Sequence, residues 1–128
     1  MSGVRRARCA LFLAPLCASC REAPLTCPTS LAPSLAVTIR DSATGAFIAS
    51  GATVIAFSTL YSDTVFVPAK RPDLDSQPVE LSYGRTGPFL VTVDEMGYSE
   101  WMATDVIVRA AVCGLETTAL TARLQRTP

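Results

Sequence analysis

Histidine is missing from the chain altogether, and that absence removes the Ser-His-Asp and Cys-His relays along with the imidazole ligands of most catalytic zinc sites. Lysine occurs once, at Lys70, so a Ser-Lys dyad would have to use that side chain. Tryptophan also occurs once, at Trp101. No run approaches the roughly 20 apolar residues that carry a helix across a bilayer. Nor is either sign of charge in excess, with 11 Lys plus Arg against 11 Asp plus Glu. A nucleic-acid binder normally presents a basic patch to the phosphates, so no nucleic-acid partner is expected. At 128 residues there is room for one small domain, and no cofactor motif is visible.

What is present begins with a segment unlike the rest. Arg5, Arg6 and Arg8 make a basic start, and Cys9 to Ala18 is an apolar run of ten residues ending in small side chains. This is the pattern of a secretory signal peptide, expected to span residues 1–19. The run is too short for a membrane span and carries Pro15 in its middle, and it lacks the 3.6-residue stripe of a buried core helix.

The end of the run, Leu16-Cys17-Ala18-Ser19-Cys20, resembles the lipobox of bacterial lipoproteins, in which a cysteine after small residues becomes the lipidated first residue of the mature chain. The resemblance implies lipidation at Cys20. It departs from the usual pattern in placing Cys17 where Leu or Val is common, which leaves plain cleavage near Ser19 open. Arg21 rather than Asp follows the cysteine, which by the sorting rule of such lipoproteins implies anchoring in an outer membrane. The released alternative is a periplasmic protein. Loss of residues 1–19 removes three Arg and no acid, leaving eight basic against 11 acidic residues, a net charge of −3. With Cys20 spent on lipid, Cys27 and Cys113 remain for an oxidising compartment and are expected to pair, two free thiols being the alternative.

Residues 20–34, with Pro24, Pro28 and Pro33, have the composition of a tether. From Leu35 the pattern has period two, with Leu35, Val37 and Ile39 on one face, and Asp41 to Gly45 then turns the chain. Gly51 to Phe57 is β-rich and almost wholly apolar, the mark of a strand covered on both faces or of one with an apolar outer face. Asp63 to Val67 adds a shorter strand. Pro68 to Pro78 holds three prolines and four charges, where neither strand nor helix is expected. Val79 to Tyr83, the turn Gly84 to Gly87, and Pro88 to Asp94 read as a hairpin, followed by β-prone runs Trp101 to Arg109 and Leu115 to Leu124. Turn signals recur about every 8 to 12 residues, the spacing of a β-sandwich.

Several motifs resemble, in order and spacing, those of the carboxypeptidase regulatory-like domains. They are Val37-Thr38-Ile39-Arg40-Asp41 with Thr44-Gly45, then Gly51-Ala52-Thr53-Val54, Gly87 to Val93, Gly97-Tyr98, and Val106-Ile107-Val108. The resemblance covers about Leu35 to Leu124. It implies an all-β, prealbumin-like (transthyretin-like) seven-stranded Greek-key sandwich over residues 35–128. It also implies a module without catalytic activity that folds, spaces or binds, with no room here for an enzyme beside it. In a related subgroup of envelope proteins a histidine often follows the cysteine before the last strand. Gly114 stands there in this chain, so any role of that histidine is absent.

The remaining candidates for chemistry each meet a plainer explanation. Asp63, Asp73 and Asp75 offer hard oxygen ligands for Ca²⁺, but no Asp-x-Asp-x-Asp-Gly spacing is present and Lys70 and Arg71 neutralise them, so no metal is expected. Asp94, Glu95 and Glu100 could mimic a glycosidase pair, but they flank a turn without an evident cleft. Lys70 lies in a charged loop, a poor setting for the base of a Ser-Lys dyad. Tyr98 and Trp101 surround a turn, and with Tyr61 and Phe66 they are the candidate binding surface for an envelope protein or a glycan. Packing of those rings into the core edge is the competing expectation.

Overall fold

The computed structural model describes residues 26–128. The leader, Cys20 and the first part of the tether lie outside them. The described chain is all-β apart from one 3₁₀ turn, in two packed sheets. Its eight strands are β1 (Leu35–Asp41), β2 (Thr53–Ser58), β3 (Tyr61–Phe66), β4 (Val79–Leu81), β5 (Gly87–Asp94), β6 (Trp101–Ala111), β7 (Gly114–Glu116) and β8 (Thr118–Leu124). One sheet has the order β4-β1-β8 and the other β3-β2-β5-β6-β7.

The period-two pattern read from Leu35 is realised in β1, whose residues alternate between buried and half-buried along its whole length. This strand pairs in parallel with β8, from Leu35 opposite Thr118 to Asp41 opposite Leu124. Its inward side chains Leu35, Val37 and Ile39 are fully buried against Val54, Ala56, Val91 and Val93 of the other sheet. Among the described residues Phe89 is the one buried aromatic residue, and Ala49, Ala52, Ala56 and Ala122 keep the two layers close.

Four local expectations need correction. The two strands expected as a hairpin around Gly84 belong to different sheets, β4 to the smaller and β5 to the larger. Ser82 (φ 58°) and Gly84 (φ 72°) swing the chain across the sandwich instead of folding it back, and the Ser34 hydroxyl, bonded to backbone groups of Ser82 and Arg85, holds the crossing. The run Leu115 to Leu124 is two strands: β7 completes a hairpin with β6, and β8 crosses to β1, which makes eight strands rather than seven. The Pro68 to Pro78 loop contains a single 3₁₀ turn, Pro72–Leu74, begun by a proline that has no N–H to satisfy. Finally, the segment from Cys27 is not a free tether. Cys27 is disulfide-bonded to Cys113, the Ala32 carbonyl accepts the Gly84 N–H, and Ser34 is fully buried.

The apolar composition of β2 is explained by an uncovered outer face. Ile55, Phe57, Phe66, Leu90, Met102 and Ile107 lie on the solvent side of the five-stranded sheet, half-buried or exposed. A bulge sits where Leu90 faces Thr104 and Asp105, the latter in the left-handed region at φ 54°.

The strand directions sort the loops into two ends. The N-terminal segment, the β2–β3 turn, residues 82–86 and the β6–β7 tip share one end. The Asp41–Gly45 turn, the 67–78 loop, the Glu95–Tyr98 turn and the C-terminus share the other.

Candidate functional site

The most connected polar cluster gathers at the second end, around a residue read from the sequence only as part of a turn. Asp41 ends β1 with 1% of its surface exposed. Its Oδ1 accepts the backbone N–H groups of Ala43 and Thr44 at 2.8 and 3.0 Å, which closes the turn in the Asx manner. Its Oδ2 accepts the Tyr98 hydroxyl at 2.9 Å and the Arg126 Nε at 2.8 Å. With four donors pointed at it, led by the Arg126 guanidinium, the carboxyl is held well below the usual aspartate range. The Tyr98 hydroxyl is pushed up by burial and by donating to that carboxylate. Every lone pair is committed within the protein, so the cluster works as a clasp joining three chain segments. It leaves no group free for acid-base chemistry.

Tyr98, Trp101 and Tyr61 are all half-buried, with rings packed against the core. Trp101 lies opposite Val93, at the clasp end of the larger sheet. Tyr61 lies opposite Ser58 at the other end, four residues along β2 from the Val54 level, or about 13 Å along the strand direction. The structure therefore places Tyr98 and Trp101 near one another and Tyr61 apart. The Arg85 guanidinium stacks on Tyr61, 3.5 Å from the ring centroid. Phe66 stands exposed on the outer face of edge strand β3. Beside Trp101 lies a hollow of about 170 Å³ lined by Ser99, Glu100, Arg123 and Gln125, smaller than the about 300–1,000 Å³ usual for small-molecule sites.

The carboxylates do not converge. Asp73 forms an ion pair with its neighbour Arg71 at 2.7 Å, Asp75 accepts the Ser50 N–H at 2.7 Å, and Asp63 accepts the Ser82 N–H at 2.8 Å. Among the described residues no group of acidic or cysteine side chains has the arrangement to hold a metal ion. Burial first, and then the Asp75 charge, push the Glu95 carboxyl up to about 7. Its Oε2 is buried without a hydrogen-bond partner. Lys70 is exposed and takes no part in either ion pair found among the described residues.

The Cys27–Cys113 disulfide sits at the first end, joining the N-terminal segment to the β6–β7 tip with Cα atoms 5.1 Å apart. The partnership of Arg126 with Asp41, 85 positions away, had no local signal. The Asx turn itself was legible in Asp41 to Gly45, but only the fold shows that the same carboxylate has a second oxygen to offer.

No protein-family model matches the chain, and no curated protein sequence matches it.

Proposed function

We propose that this chain is an exported, non-catalytic β-sandwich module of a bacterial cell envelope, of the carboxypeptidase regulatory-like kind, which works by binding or scaffolding and is held at the outer membrane through lipid on Cys20. The observation that carries the proposal is the Cys27–Cys113 disulfide, because such bonds persist in oxidising compartments outside the cytosol. A basic, then apolar leader ending in a lipobox-like sequence agrees with that destination.

The non-catalytic reading is supported by how four of the aspartates are used. Asp41, Asp63, Asp73 and Asp75 each hold a structural partner. The family likeness is supported by the clasp, since the Tyr98–Asp41 hydrogen bond joins two of the motifs that carry it.

Fractionation of cells making the full chain tests this. The protein is expected in the outer-membrane fraction, and Cys20→Ser is expected to move it to the soluble periplasmic fraction. Recovery of the disulfide-free protein from the cytosol would contradict the proposal.

A further inference from the structure

The two ends of the sandwich differ in charge far more than the chain's balanced total suggests. At the end carrying the N-terminal segment, the connecting residues 26–34, 59–60, 82–86, 112–113 and Thr117 contain no acid and one cation, Arg85. That cation lies over the Tyr61 ring. At the opposite end the loops and C-terminal segment carry Lys70, Arg71, Asp73, Asp75, Glu95, Glu100 and Arg126. Three strongly exposed apolar side chains stand at the uncharged end, whereas Met96 and Phe66 stand exposed among the charges of the other. Leu60 is 97% exposed in the β2–β3 turn, Val112 is 80% exposed at the β6–β7 tip, and Leu31 is 69% exposed beside Gly84.

Three apolar side chains at the tips of one end, whose loops hold no acid, form a surface suited to an apolar partner. We infer that this end is the face that meets a lipid bilayer, with Leu31, Leu60 and Val112 entering the interfacial layer. The chain's own route selects lipid over a protein partner. The residues preceding the described structure join it at this end, and Cys27 is fastened there to Cys113. Cys20 precedes Cys27 by seven residues, which reach at most about 25 Å when fully extended. A lipid on Cys20 keeps the uncharged end at the membrane surface, where acidic side chains would be repelled by anionic headgroups; its described loops hold none, and the nearest acids, Glu80 and Glu116, lie on strands β4 and β7. This inference rests on the proposed anchoring for its geometry, but the apolar tips stand independently of it.

The test uses the full chain, purified from membranes and reconstituted in vesicles of phosphatidylethanolamine and phosphatidylglycerol containing brominated phosphatidylcholine. In a Trp101→Phe background, single tryptophans are placed by Val112→Trp, Leu60→Trp or, at the charged end, Met96→Trp, a position 96% exposed. The indoles at 112 and 60 are expected to shift to shorter wavelength and to be quenched several-fold more strongly than the indole at 96. Equal quenching at the two ends, or stronger quenching at 96, overturns the inference. If Trp101→Phe prevents folding, the comparison is made by difference with Trp101 retained. Intact mass on the same sample separates the two ideas. Acylated protein without quenching at 112 and 60 defeats the orientation and leaves the anchor standing. Unacylated protein that is still quenched there does the reverse, and unacylated, unquenched protein defeats both.

Discussion

The hydroxyl of Tyr98 donates to Oδ2 of Asp41 at 2.9 Å across 57 positions of chain, and in doing so locks the turn before β6 to the end of β1. Because Asp41 is almost wholly enclosed and held below the usual carboxylate range, its protonation is linked to folding. A carboxyl whose folded pKa is depressed contributes stability above its unfolded pKa, and loses it as pH falls through the folded value. The melting temperature of the protein should therefore fall steeply below about pH 4. Asp41→Asn should melt lower than the parent at neutral pH and show a weaker fall in acid, by thermal unfolding followed by circular dichroism.

Removing one donor from this clasp is a milder change. Tyr98→Phe keeps the ring against the core and should cost about 1.5–3 kcal/mol in urea unfolding, the range for a hydrogen bond to a charged acceptor. A loss near zero would mean that the Arg126 contact alone secures Asp41.

Glu95 has the opposite linkage. Its carboxyl is raised to about 7 by burial and by Asp75, so the protein is favoured while Glu95 is protonated and loses that advantage as pH rises from about 4.5 through 7. Glu95→Gln is expected to match the parent at pH 4 and to melt higher at pH 8. A variant that melts lower at both pH values would contradict this sign.

The disulfide closes a loop of 86 positions and should constrain the unfolded chain strongly. The Cys27→Ser/Cys113→Ser double variant is expected to lose about 4–5 kcal/mol on the chain-entropy argument. Urea unfolding of the two oxidation states of the parent protein gives the same comparison without mutation.

The single tryptophan reports on glycan binding at the tip it shares with Tyr98. Trp101 packs against the core beside a hollow of about 170 Å³, so its emission should not change on addition of cell-envelope oligosaccharides. Saturable quenching would move the weight to a carbohydrate-binding role.

Much of the sandwich was legible because its signals are local. The alternation of Leu35, Val37 and Ile39 alone predicts β1 with one buried face, and the Asp41 to Gly45 turn follows from side-chain chemistry within five residues. The Cys27–Cys113 pair apart, what failed was the choice between strand partners far apart. Val79–Leu81 and Gly87–Asp94 have hairpin spacing, yet the positive φ of Ser82 and the buried Ser34 hydroxyl send them to different sheets. The split of Leu115 to Leu124 into β7 and β8 depends on pairing with β6 and β1, which the segment's own composition does not specify. The candidate surface divided for the same reason. Tyr98 and Trp101 are three positions apart and stay together, whereas Tyr61 is placed by the register of β3 on β2.

The central claim is that the chain is carried out of the cytosol, cut at Cys20, lipidated there and closed by the Cys27–Cys113 bond. Intact mass of the protein from its native membrane fraction, with and without reduction before alkylation, tests it most directly. The account predicts a chain beginning at Cys20 with added acyl mass, and two alkylated thiols that appear only after reduction. A full-length chain with its leader in place and both thiols free before reduction would contradict it.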